Sequence, residues 1–379
     1  MQNHFKLLHF TLKKELGEVY ASILIRNLAL SLVSIFVPIY LLTQTNIGFG
    51  GLIIYYFIQA IFLFLFYFIS ASLCYKYGTN KTILSSIPFY LIFFFILYNY
   101  YDSIYLMYLS AIVVGVAQGL FWFAFNYEFA EVSDKKHRGE EVKFWYFFSS
   151  IIGTIGPLLG GLLLSTEGFN TIFFISSVLF LLSAAPLFRS KTRKLKNKIK
   201  WTNCFKIKYF SVAPKYFAQG FRIEINSIFW PLFIFLILGE YFKTGFIFSG
   251  VALVSSIVIW FVGNKIDKID KKVFSGLSTV FDGVISITRA FVSNFAHIIG
   301  VSAASGVSSG ISEISTTALA YDSENKRKIG EHILFREMIL TSARFTLFAI
   351  LFFSGLDIMS NLKLAFFLLA GVSILQELF

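Results

Sequence analysis

The sequence predicts an all-α membrane protein of about twelve transmembrane helices in two similar six-helix bundles, and three observations carry that expectation. Apolar stretches of spanning length recur along nearly the whole chain, basic residues crowd into alternate connections, and the second half repeats features of the first. Composition agrees: 56% of the 379 residues are hydrophobic, 14% are charged and 48 are phenylalanine, too little polar surface for a soluble fold of this size. Twelve spans of about 20 residues use about 240, which leaves no room for a separate soluble domain.

The apolar runs read at about 21–42, 48–74, 82–100, 103–127, 143–165, 170–188, 212–239, 245–263, 273–292, 295–320, 332–355 and 359–379, numbered spans 1 to 12. With the N-terminus inside, the tail and inner connections hold 25 lysines and arginines, against Lys243 and Lys363 in the outer ones. This bias predicts a multi-pass protein of the cell (inner) membrane with both termini cytoplasmic, and it would fall towards parity if one middle span were miscounted. Residues 1–20 show no signal-peptide core, so the first span is expected to act as its own targeting signal.

A net charge of +12 would suggest nucleic acid, but the basic residues lie in short loops, so no nucleic-acid partner is expected. The longest connection, RSKTRKLKNKIKWTNCFKIK, has nine basic residues and no acid. It reads as a positive-inside linker that meets anionic membrane lipid, and it divides the chain into bundles at 1–188 and 209–379 joined by residues 189–208. Cys74 and Cys204 indicate neither a disulfide framework nor a metal site.

The internal repeat fixes the relation between the bundles. Gly115, Val116, Gly119, Gly139 and Glu140 recur 191 residues on as Gly306, Val307, Gly310, Gly330 and Glu331. Ser34-Ile35-Phe36-Val37-Pro38 in span 1 recurs as Ser227-Ile228-Phe229-Trp230-Pro231 in span 7. Because six spans intervene, both copies run the same way across the membrane, which makes the repeat parallel with its axis along the membrane normal.

Two motifs add a family resemblance. After span 8, Gly263-Asn264-Lys265-Ile266-Asp267-Lys268-Ile269-Asp270-Lys271-Lys272 is similar to the Gly-x-x-x-Asp-Arg-x-Gly-Arg-Arg loop signature of the major facilitator superfamily, with Asp270 at an expected glycine. The matching first-half stretch, Ala71 to Lys81, keeps Gly78 and Lys81 but has Tyr75 at the acidic position. In span 5, Gly156-Pro157-Leu158-Leu159-Gly160-Gly161 resembles the Gly-Pro-x-x-Gly-Gly core of that family's antiporter motif. The resemblance, which covers almost the whole chain, implies a secondary transporter that rocks two bundles about a midplane site, with protons and a small molecule as its partners and a monomer sufficient. Proton-coupled export of a small amphipathic or hydrophobic compound is the reading it favours. Uptake or exchange of an anionic metabolite or lipid is the alternative, and a non-transporting scaffold or sensor is a third. It further implies a charge-paired gating loop formed by Gly78, Lys81, Gly263, Asp267 and Lys268. Without the resemblance these loops read as short polar turns, and the glycines of span 5 as tight helix packing.

Ionisable groups inside a bilayer cost about 2.5–3.5 kcal/mol each at its centre, so each needs a partner or a wet cavity. Such groups are Arg26 in span 1, Arg222 and Glu224 in span 7, Asp282 and Arg289 in span 9, Glu313 in span 10, and Glu337 and Arg344 in span 11. In the family fold spans 1, 4, 7 and 10 line the cavity, which favours Arg26, Glu224 and Glu313. Asp282 and Arg289, seven apart on a peripheral span, are expected to form a structural pair. Glu224 aligns with Ser31 and Glu313 with Trp122, so neither acid is required by the architecture and either is a candidate for the coupling proton. Arg26, Arg222 and Arg344 either neutralise Glu224, Glu313 and Glu337 or hold an anionic group on the substrate. Gln118, Trp122, Asn126, Asn226 and Trp230 add polar and aromatic lining. No phosphate-binding loop, metal-spaced His/Cys cluster or nucleophile triad occurs, so neither an enzyme nor a cofactor is expected.

Overall fold

A computed structural model describes residues 14–100, 103–132, 138–190, 192–199, 201–204, 210–263, 271–322 and 329–377, although the side chains of 14–17, 19, 132, 138–146, 201, 263, 271–275, 313–322 and 377 fall outside that description. Span 1 is Lys14–Val33 continued by Val37–Thr43, and span 7 is Ala213–Glu224 continued by Trp230–Leu238. The others of the first half are Gly48–Lys76 (2), Thr79–Tyr98 (3), Ile104–Val132 (4), Arg138–Thr166 (5) and Phe169–Arg189 (6). Those of the second half are Tyr241–Gly263 (8), Lys271–Arg289 (9), Phe295–Asp322 (10), Ile329–Phe353 (11) and Ile358–Glu377 (12). Among the described residues ten spans are long and apolar enough to cross a membrane. Spans 9 and 11 have the length but carry Asp282 and Arg289, and Arg336, Glu337 and Arg344, whose partners lie inside the bundle.

Within the first half span 4 packs on spans 2 and 3, and span 6 on spans 1 and 3. Within the second, span 10 packs on spans 8 and 9, and spans 7 and 9 pack on span 12. The halves meet chiefly where span 5 lies along span 8 and span 2 along span 11. Lipid tails are as apolar as leucine, so contact between spans depends on close packing and internal hydrogen bonds. The repeated glycines serve that purpose. A Cβ on Gly115 would fall 2.5 Å from the Gln59 carbonyl on span 2, and one on Gly306 would fall 2.7 Å from the Val251 carbonyl on span 8. Serine hydroxyls join the same surfaces: Ser70 donates to the Leu120 carbonyl at 2.9 Å, and Ser255 to that of Gly306 at 2.7 Å. Large apolar side chains such as Phe95, Leu181, Phe261 and Phe353 are left on the outside, as a hydrocarbon solvent allows.

The repeated Ser-Ile-Phe-x-Pro segments explain why spans 1 and 7 are each in two pieces. Proline has no N–H to give the carbonyl four residues earlier, so the ladder fails there. In span 1 the helix opens into a turn at Ser34–Phe36 and restarts at Val37 with Pro38 in its first turn. In span 7 the same fault is absorbed as one π-turn, Ile225–Phe229, ahead of Pro231. Both breaks fall beside the space between the halves.

One end of the molecule carries the linker, and this linker end is distinguished from the opposite end below. There Gly78, with φ of +96°, starts span 3 against the linker, since a side chain would collide with the Arg193 carbonyl.

Candidate functional site

A cavity of about 700 Å³ lies between the halves. It runs from Tyr56 and Phe348 near the opposite end to Asn126 and Phe129 near the linker end. Towards the opposite end the halves are joined by rings: Tyr56 stacks on Phe348 with centroids 6.1 Å apart, and Tyr241 lies edge-on to Phe36 and Phe169. The walls differ in character. Spans 1 to 4 contribute Tyr90, Phe93, Phe121, Trp122, Phe125 and other uncharged side chains, whereas among the described residues every ionised group lining the cavity comes from spans 7 and 11.

Those groups are paired. Arg344 donates through Nε to Glu224 Oε1 at 2.5 Å, from span 11 to span 7. Arg222 turns away from Glu224 and bonds Asp282 of span 9 at 2.8 Å, with Ser312 of span 10 as a second contact. Ser308 completes the site by donating to the other Asp282 oxygen at 2.5 Å. Glu337 is buried on span 11, where Arg336 approaches it to 3.3 Å and Asn126 of span 4 donates to it at 3.0 Å. The bond from Asn126 crosses from one half to the other.

The expected pair of Asp282 and Arg289 does not form. Seven residues of helix separate their backbones by about 10.5 Å along the axis. Asp282 instead takes Arg222, and Arg289 donates to Ser305 at 2.6 Å while its guanidinium lies 4.8 Å from the Trp230 ring. Trp230 is therefore part of the packing of the second half, stacked on Phe233, and does not line the cavity. Arg26 also lies behind the wall. It is buried, donates to the Tyr90 hydroxyl at 2.8 Å, and its guanidinium carbon sits 3.2 Å from the Phe121 ring centre, with no carboxylate partner among the described residues.

Gln118, Trp122, Asn126, Arg222, Glu224, Asn226, Glu337 and Arg344 do line the cavity, and Gln59 donates to Gln118 at 2.9 Å. Glu313 lies on span 10, but its side chain is outside the described residues, as are Asp267 and Lys268 of the gating loop. Gly263 ends span 8, and Lys81 is exposed. In span 5, Gly156 and Gly160 seat the helix against Ser31, Leu32 and Phe36 of span 1, while Gly161 and Pro157 face Tyr241, Phe242 and Gly245 of span 8. The motif thus joins three spans near the opposite end.

Three participants were not anticipated from the sequence: Arg336, Glu128 and the linker itself. Glu128, buried on span 4, accepts from Thr79 at 2.6 Å and lies 3.5 Å from Arg193 Nε. Lys196 pairs with Glu131, Leu195 N donates to the Cys74 carbonyl at 3.3 Å, and Asn203 donates to Glu331 of span 11 at 2.7 Å. The linker is tied to both halves. Burial there pushes the Cys204 thiol up to about 11, with the Glu331 carboxylate adding to the shift. A lone acid in the apolar run before Glu131 was the available signal for Glu128.

Two pseudo-symmetric six-helix bundles that enclose a cavity at their junction are the build of a multi-pass membrane transporter. The chain belongs to the Major Facilitator Superfamily, whose family model matches residues 19–331. It is similar to the uncharacterized protein YqgE of Bacillus subtilis (strain 168), 26% identical over 250 residues that make up 61% of this chain and 57% of that protein. The chain therefore spans little over half the length of that relative. In fold it resembles the human organic anion transporter MFSD10 (TETRAN), with a TM-score of 0.71 and 9% identity, covering 96% of this chain and 98% of that one.

Proposed function

We propose that the chain is a proton-coupled secondary transporter that moves a small amphipathic compound by alternating access of its central cavity. The observation that carries this reading is the division of the cavity wall, uncharged and aromatic on the first half and ionised on the second. A molecule with an apolar body and a polar end satisfies both surfaces at once. The contact between Asn126 and Glu337 joins the halves in this arrangement and is one that their separation would break. The pair of Glu224 and Arg344 is the coupling element of this proposal: a proton on Glu224 removes the charge that holds Arg344 and frees it for substrate. Export is supported by the likeness of span 5 to the antiporter motif, and placement of the linker end in the cytoplasm by the basic bias of its loops. A single chain encloses the cavity, which supports a monomer as the working unit.

A second reading, transport of an organic anion, is favoured by the presence of Arg222, Arg336 and Arg344 on the lining, and the fold neighbour is itself described as an organic anion transporter. Inside-out vesicles with an imposed proton gradient test both. Dissipation of the gradient by one compound of a cationic, neutral and anionic panel, through wild type but not Glu224→Gln, is the expected result, and the charge of that compound selects the reading. Equal dissipation by both proteins would remove Glu224 from the mechanism.

A further inference from the structure

A second cavity, of about 280 Å³, opens at the linker end between the two halves. Its apolar sides are Phe68 and Ala71 of span 2, Leu334 of span 11 and Ile199 of the linker. Lys76 and Lys198 stand at its rim, Ser72 and Tyr75 add hydroxyls, and no acid among the described residues lines it. Lys76 is the last residue of span 2, so the rim lies where hydrocarbon gives way to headgroups.

The charges here differ from those beside them. Arg193 and Lys196 of the same linker are taken by Glu128 and Glu131. Lys76 and Lys198 are exposed and have no carboxylate partner among the described residues; the Lys76 ammonium rests 4.9 Å from the Tyr77 ring. Two exposed ammonium groups above an apolar crevice at headgroup depth match one ligand chemistry, a phosphodiester joined to acyl chains.

We propose that this crevice binds one anionic phospholipid of the surrounding leaflet. Its phosphate sits between Lys76 and Lys198, and its first methylenes lie along Phe68 and Leu334 in the seam of spans 2 and 11. Since span 2 belongs to one half, span 11 to the other and the linker joins them, the lipid touches all three parts. It therefore favours the arrangement in which the halves stand this close, whatever passes through the central cavity.

The test is native mass spectrometry of the purified full chain from nanodiscs of equal phosphatidylglycerol and phosphatidylcholine. Wild type is expected to retain one phosphatidylglycerol in preference to phosphatidylcholine. Each basic group near an anionic surface is worth about fivefold, so Lys76→Gln with Lys198→Gln is expected to weaken retention about thirtyfold, and arginine at both positions to restore it. Ala71→Phe, which keeps both charges and fills the crevice, is expected to lose the lipid as well. Equal retention of the two lipids by wild type, undiminished retention by the glutamine variant, or displacement by free glycerol phosphate at millimolar concentration would each overturn the proposal. Because no transport is measured, these outcomes are independent of the transport reading.

Discussion

Arg344 and Glu224 illustrate how much depends on a single contact between two spans. Removing one partner leaves a buried charge without its counterion, which costs about 3–5 kcal/mol. Arg344→Ala is thus expected to lower the thermal midpoint of the detergent-solubilised protein sharply, and Arg344→Ala with Glu224→Ala to recover much of the loss; equal losses would show that the pair is not coupled. Cys204 gives a second residue-scale test. Its thiol, pushed up to about 11 by burial, stays protonated through the physiological range. With Cys74 replaced by serine, maleimide labelling is expected to be slow at pH 8, where about 0.1% is thiolate, and to rise about tenfold per pH unit towards 10. Rapid labelling at pH 7.5 would mean that the linker lifts away. The sequence singled out most of the ionisable groups that the bundle holds inside, because each interrupts an apolar run, but it passed over Glu128 and Arg336. It did not reveal their partners: Arg222 and Asp282 are 60 residues apart, and only helix packing brings them together. Arg336 was passed over, although it stands next to Glu337 in the same span.

At the scale of elements, the glycines of spans 5 and 8 separate packing from mere composition. A Cβ on Gly245 would meet the Pro157 carbonyl, whereas one on Gly250, on the same span, would have nothing within 4 Å. Gly245→Ala is therefore expected to destabilise the protein by about 1–3 kcal/mol by overpacking, and Gly250→Ala to be neutral or slightly stabilising. Thermal unfolding of the two variants checks this, and equal midpoints would show that spans 5 and 8 do not meet closely. Helix positions and the repeat were legible because hydropathy and glycine spacing are local properties. The matched Ser-Ile-Phe-x-Pro segments read only as part of the repeat, and spans 1 and 7 as continuous, although the prolines are a local signal for the breaks. Their different forms, an open turn in one span and a π-turn in the other, depend on neighbours that no local pattern specifies.

For the whole molecule, the ring contacts between Tyr56 and Phe348 provide a test of rocking. Cysteines at these positions, in a chain with Cys74 and Cys204 changed to serine, are expected to be bridged by a short bis-methanethiosulfonate reagent and so to stop transport in vesicles, and reduction is expected to restore it. Transport that continues with the cross-link in place would mean that the opposite end need not open. The two-bundle plan could be anticipated from the repeat and the basic linker, but the unequal charge of the cavity walls could not, since it depends on which face of each span turns inwards. The linker has a further consequence, which concerns the making of the protein. Its contacts occur in the order of the chain: Arg193, Leu195 and Lys196 hold the first half, and Ile199 and Asn203 then reach the second at Gly330 and Glu331. A ribosome reading the message in that order releases a first bundle that can clasp its own end before span 7 is made. The second bundle then arrives on a tether already fastened at the place where it must dock.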